Sequence, residues 1–292
     1  MLKIIIILLI GILSVSSASI FIKFCNDVPA IMISTYRLVI ASLILIGICK
    51  VRNISLLFYS KSIYLWSMLS GLFLSLHFIT WITSLKYTSV ASSVVLADTN
   101  PIFVGVLSYF ILKEKHSTNL IIAILLSFAG ASLITIGDSG FHNLILINKK
   151  ALIGDILALL GAITGSGYLL IGSILRKKLD ILTYITIVYT FSAIFLLFTS
   201  LVLDLPFTGY RQSSYIYMIL LAIIPQLLGH SSFNWALRHL KPTFVSITIL
   251  GEPVCASLLA FMIFGEQIHY VQFLGILLIF IAIILGSRAN HL

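Results

Sequence analysis

Two carboxylates stand in apolar runs where a chain ordinarily carries none: Asp98 within residues 89–112 and Glu252 within residues 242–264. Each is followed by a proline, Pro101 and Pro253, which cannot donate a backbone hydrogen bond to the carbonyls of Ala97 and Ile249. A kink is therefore expected at both places, with free backbone acceptors beside an acid. Glu252 has two readings: a cap that braces the kink, or a group that takes part in the chemistry of the site. Asp98 and Asn100 project to nearly opposite sides of a regular helix at about 100° per residue. One of them is expected to face the cavity and the other a helix neighbour, and Asp98 is favoured as the cavity-facing or proton-carrying group.

Other polar side chains recur at helical spacing. Gln226, His230 and Asn234 are four residues apart after Pro225, and His77, Trp81 and Ser84 follow i, i+4, i+7. Such faces turn away from lipid, so these residues are candidates for a common interior site. Two intramembrane histidines on helices in corresponding halves can be relay groups or packed side chains. Tyr168 and Ser166 are further candidates for its wall, on a segment whose small residues Gly154, Ala158, Gly161, Ala162 and Gly165 point to close helix packing. Arg37 lies about two turns inside a run. There it is expected to pair with a carboxylate or to snorkel outward. Glu114 and Glu266 follow apolar runs and are expected to anchor helix ends.

The elements that must position these residues are membrane helices. Of 292 residues 60% are hydrophobic and 9% charged, against about 25% charged in an ordinary soluble domain. The chain divides into ten apolar runs near 3–23, 30–49, 61–84, 89–112, 119–136, 153–174, 182–203, 214–237, 242–264 and 270–287. With the N-terminus inside, the inner segments hold Lys3, Lys50, Arg52, Lys61, Lys113, Lys115, Arg176, Lys177, Lys178, Arg238, Lys241 and Arg288. The outer segments hold only Lys23, Lys86, Lys149, Lys150 and Arg211. That asymmetry predicts that both termini are cytoplasmic. A competing reading takes Lys3, the apolar run 4–13 and Ser16-Ser17-Ala18 as a cleaved signal peptide, but its loss would leave the first half a helix short. The net charge of +9 is scattered between apolar runs, which argues against nucleic acid as a partner. Cys25, Cys49 and Cys255 lie far apart, without metal-ligand spacing, and no motif for a metal or cofactor is present.

The longest polar gap, from Asp138 to Lys150, divides the chain five plus five. A shift of 152 positions superposes Leu85-Lys86 on Leu237-Arg238, Pro101 on Pro253, Glu114 on Glu266 and Phe128 on Phe280 without a gap. An odd number of spans per half implies an inverted repeat, with residues 1–138 and 153–290 as five-helix units and 139–152 as the connecting loop. The expected fold is thus an all-α integral membrane protein of ten transmembrane helices.

Leu250-Gly251-Glu252-Pro253, Phe264-Gly265-Glu266 and Gly275 in the second half, with Arg37 to Ala41, Asn100-Pro101, Glu114 and Gly130 in the first, carry a resemblance over nearly the whole chain. It resembles the EamA-like transporters of the drug/metabolite transporter superfamily. The resemblance implies a ten-helix carrier of small metabolites, often amino acids or related solutes and often for export, with a cavity between the halves, and it implies a structural role for Arg37, through Tyr36 and the neighbouring spans. Asn100 replaces the acidic residue before the first proline, so a role carried by that carboxylate can apply only to Glu252. The site expected on this reading comprises His77, Trp81, Asp98, Asn100, Tyr168, Gln226, His230, Asn234 and Glu252. The partners expected are a small solute, protons in exchange and the bilayer, the chain acting as a monomer or homodimer. An intramembrane enzyme is the rival class. Thr164-Gly165-Ser166-Gly167 lacks the first glycine of a Gly-x-Ser-Gly element, and Thr135 and Leu152 stand where a Gly-x-Gly-Asp element needs glycine. A channel is the other alternative, less suited to paired midplane kinks.

Overall fold

A computed structural model describes residues 2–57, 59–88, 90–139, 149–264 and 270–289. Among them every regular element is helical: α1 Leu2–Ser16, α2 Ala18–Phe24, α3 Ala30–Val51, α4 Lys61–Ser84, α5 Val90–Ala97, α6 Asn100–Ile111 and α7 Thr118–Ser139 in the first half. The second half has α8 Lys149–Leu175, α9 Ile181–Val202, α10 Gln212–Leu221, a π-helical segment Ala222–His230, α11 Ser231–Ala236, α12 Pro242–Ile249, α13 Gly251–Phe264 and α14 Tyr270–Ala289. Eight helical stretches are long and apolar enough to cross a membrane, and two shorter apolar ones, Thr118–Gly130 and Phe273–Gly286, lie within α7 and α14. Glu266 falls outside the described residues, as does most of the connecting loop 139–152.

Helix is the form these runs must take, because hydrocarbon offers no partner to an open backbone group. The outside is apolar: Leu13, Leu43, Leu65, Phe110, Phe198 and Met262 are among its exposed side chains. The inside holds Arg37, Asp98, Gln226, Asn234 and Glu252, all buried. This reverses the arrangement of a water-soluble protein and suits lipid as solvent.

Helix ends repeat at the spacing of the sequence repeat. Ser84 closes α4 and Ala236 closes α11, 152 residues later; Ala97 closes α5 and Ile249 closes α12, again 152 later. The prolines do more than kink. Each of the two spans is broken, between Ala97 and Asn100 and at Leu250, and Pro101 takes the second position of α6, where its missing N–H costs nothing. The halves differ at Pro225. There the helix widens to i→i+5 bonding, which hands the carbonyl that a proline cannot serve to the next amide.

Two close approaches hold the frame. A Cβ on Gly130 would meet the Gly275 carbonyl at 2.7 Å, so α7 and α14 pack backbone against backbone. The small stripe on α8 packs on α4, with Gly161 against Trp81 and Gly165 against His77. Tyr36 donates to the Phe207 carbonyl at 2.5 Å, tying α3 to the loop after α9.

Candidate functional site

The broken spans, α4, α8 and the π-helical segment converge on one cavity, lined from the first half by Val15, Ala18, Arg37, His77, Trp81, Ala97, Asp98 and Asn100. The second half contributes Gly165, Tyr168, Leu169, His230, Phe233, Ile249 and Glu252. Water centres have about 40 Å³ to occupy there, room for a few molecules at roughly 10–15 Å³ each. Three pairs of lining residues are repeat mates 152 apart: Trp81 with Phe233, Ala97 with Ile249, and Asn100 with Glu252. Arg37, Asp98 and the two imidazoles break that symmetry. Tyr189 stands opposite Arg37, Leu250 opposite Asp98, Gly229 opposite His77 and Phe78 opposite His230. Two apolar pairs and the polar pair Asn100 with Glu252 are therefore shared between halves, whereas the guanidinium, the second carboxyl and the imidazoles are not.

Local geometry fixes each polar group. The Asn100 amide, turned so that its NH2 faces acceptors, donates to Ala162 O at 2.7 Å and to Ala97 O at 3.3 Å, the carbonyl that Pro101 leaves open. In the second break Ser16 Oγ reaches the Glu252 carbonyl at 3.3 Å. His77 Nδ1 lies 2.8 Å from Gly161 O; a carbonyl only accepts, so Nδ1 carries the hydrogen and Nε2 of the neutral ring is left as an acceptor. The ring stacks on Trp81 at 6.0 Å and meets His230 edge-on at 6.4 Å. The Trp81 Nε1 and Asp98 Oδ2 atoms are buried without a hydrogen-bond partner among the described residues. Asp98 is within electrostatic reach of Glu252, and Glu252 of Arg37.

Arg37 does not snorkel outward, being wholly buried and on the cavity wall. Its Nε donates to Gln226 Oε1 at 2.8 Å and its guanidinium carbon lies 4.0 Å from the Phe78 ring centre. Both terminal nitrogens lack a hydrogen-bond partner among the described residues.

Seven of the nine expected site residues line the cavity: His77, Trp81, Asp98, Asn100, Tyr168, His230 and Glu252. Gln226 and Asn234 stand one layer behind. Gln226 holds Arg37, and Asn234 Nδ2 donates to Tyr168 Oη at 2.5 Å and to Tyr189 Oη at 3.2 Å. Below that layer the buried Arg176 donates through Nε to Asn234 O at 2.9 Å and through Nη1 to Leu179 O. Glu114 lies in the loop after α6, its amide bonded to Ser108 O at 3.2 Å. Pro253 is the third residue of α13. Phe233 and Ile249 were missed because a search for polar residues passes over them; the repeat mates of Trp81 and Ala97 would have found them. Tyr189, the repeat mate of Arg37, carries the same signal, whereas Arg176 left none. Among the described residues no three His, Cys, Asp or Glu side chains come together as a metal site.

The model of the EamA-like transporter family matches residues 2–136 and 152–288. An uncharacterized transporter of Clostridium kluyveri is 28% identical over 211 residues, 71% of this chain and 66% of that protein, so the chain spans just under two thirds of its length. The uncharacterized transporter YetK of Bacillus subtilis is 25% identical over 257 residues, 85% of this chain and 76% of that protein. A crystal structure of a protein 16% identical in sequence superposes with a TM-score of 0.80, covering 99% of this chain and 98% of that one, which establishes a shared fold and nothing further. With two copies of the family unit and apolar helices throughout, the chain is a multi-pass membrane protein and belongs to the EamA-like transporter family.

Proposed function

We propose that this protein is a secondary carrier that exports a small metabolite, an amino acid or related solute, through the cavity between its halves by alternating access. The observation that carries the proposal is the cavity itself. It joins side chains of both halves, broken spans and three pairs of repeat mates, the arrangement from which inverted-repeat carriers build a midplane site. Ten spans in two oppositely inserted units, with both termini cytoplasmic, complete this reading on the Lys and Arg count.

The wall suits a solute with both polar and apolar parts. Trp81, Tyr168, Phe233 and His77 offer ring surface; Asp98, Glu252 and Asn100 offer acceptors. Asp98 and Glu252, close to each other and away from bulk water, are the groups proposed to exchange protons for solute. Behind the cavity the Tyr168–Asn234–Tyr189 bonds tie α8, α11 and α9 together, and a carrier that opens there breaks and remakes them in each cycle.

The test is metabolite profiling of cells with and without the protein, followed by efflux from proteoliposomes loaded with the solutes that differ. Solute leaving without nucleotide, and faster when a pH gradient is imposed, supports proton-coupled carriage. Efflux that ignores the gradient removes the proton step and leaves the carrier.

A further inference from the structure

Resting on the carrier reading above, we propose that the Arg37 guanidinium is the receptor for a carboxylate of the transported solute, with the solute's cationic group directed toward Asp98 and Glu252. Three independent features meet at Arg37. It is wholly buried and on the cavity wall. Its stem and Nε are fixed, by Gln226 Oε1 at 2.8 Å and by the Phe78 face at 4.0 Å, so the group cannot swing away. Its Nη1 and Nη2 atoms, the fork that matches a carboxylate, have no hydrogen-bond partner among the described residues.

An arginine kept for packing would engage its fork with a carbonyl, as Arg176 does: that side chain, also buried, donates through Nη1 to Leu179 O and through Nε to Asn234 O. The contrast between the two arginines separates a brace from a receptor. A buried guanidinium with two idle nitrogens is costly, and a bidentate oxyanion satisfies both at once. Repeat symmetry does not account for it either, since position 189 carries tyrosine. Glu252 is near enough to balance the charge electrostatically, yet the fork is not bonded to it. The cavity therefore offers a guanidinium at Arg37 together with the carboxyl groups of Asp98 and Glu252, and a solute bearing a carboxylate and an ammonium can engage both.

Proteoliposomes loaded with an equimolar mixture of the twenty common amino acids and their α-carboxamides supply the test, each solute being followed by mass spectrometry. The amide keeps the ammonium and the side chain and loses only the anion. For the amino acids the wild-type protein carries, the acid should leave at least about tenfold faster than its amide. Arg37→Gln should bring the ratio close to one. Arg37→Lys, which keeps the charge and loses the fork, should give an intermediate ratio and serves if the neutral variant does not insert. Acids and amides leaving wild-type vesicles at equal rates would overturn the role of Arg37 while leaving the carrier reading intact, as would an unchanged ratio in an inserted Arg37 variant. No efflux of any of these solutes from wild-type vesicles would overturn the amino-acid reading itself, and the proposal with it.

Discussion

Gly165→Ala adds one methyl group at the point where α8 supports the His77 ring. The new Cβ would lie 2.9 Å from His77 Nδ1 and 3.4 Å from the Asn100 side-chain amide. Ordinary contact begins near 3.4 Å, so the ring must retreat by about 0.5 Å. The Nδ1–H bond to Gly161 O, now 2.8 Å, is strained by that movement. Overpacking of this kind costs about 1–3 kcal/mol, and a lost hydrogen bond about 0.5–1.5 kcal/mol. If 1–2 kcal/mol of this falls on the solute-bound state, transport drops by about 5- to 30-fold. The assay is the initial rate of efflux from proteoliposomes, normalised to inserted protein, with thermal unfolding in detergent as the stability control. Gly71→Ala is the contrasting variant: its Cβ would lie 2.9 Å from the backbone of α9 at Ser192 N and Val188 O, so it should lower stability and insertion without a selective loss of rate. A Gly165→Ala protein that inserts normally and transports like wild type would refute the placing of His77 at the solute.

Trp81→Ala should impair efflux with normal insertion, because Trp81 is 5% exposed and stacks on His77, whereas Trp66→Ala should be mild, Trp66 being 44% exposed; rates for the two variants compared at equal insertion decide it. Tyr168→Phe removes the hydroxyl that accepts from Asn234 at 2.5 Å; a loss of about 1–2 kcal/mol should lower the unfolding midpoint and increase solute leak. Asp180 caps α9, accepting from the Thr183 amide at 3.1 Å and the Thr183 hydroxyl at 2.5 Å. Burial alone would raise its pKa, but these bonds outweigh it and hold the carboxyl below its ordinary 3.8. Asp180→Ala should cost about 1 kcal/mol at neutral pH, and the difference from wild type should shrink as pH falls below 3.8 and through the depressed folded value, which pH-dependent thermal unfolding measures. Single cysteines at Lys177 and Arg211, in a chain without Cys25, Cys49 and Cys255, should react with an impermeant reagent from opposite sides of the membrane.

The helices were legible because hydrocarbon leaves a chain no other option, and each of the ten apolar runs falls on a helical stretch. The two prolines were legible as irregularities but not as full breaks. That outcome depends on partners brought by other segments, such as Asn100 capping Ala97 O beside Ala162. Spacing drew Gln226, His230 and Asn234 onto one face, yet only His230 lines the cavity. The π-helical turn at Pro225 changes the phase that a regular 3.6-residue period assumes. Arg37 is ambiguous in the sequence, since a lone arginine two turns inside a span can reach lipid headgroups or an interior. Sequence spacing does not separate these. The positions of Gln226 and Phe78, which hold it inward, do.

Efflux from proteoliposomes of purified protein, loaded with the solutes that profiling identifies and assayed without nucleotide, bears most directly on the claim that solute crosses by this cavity. The account predicts loss of solute from wild-type vesicles and none beyond the protein-free rate when His77, Trp81 and His230 are all replaced by alanine in a correctly inserted protein. Equal efflux from wild-type and triple-variant vesicles would contradict it.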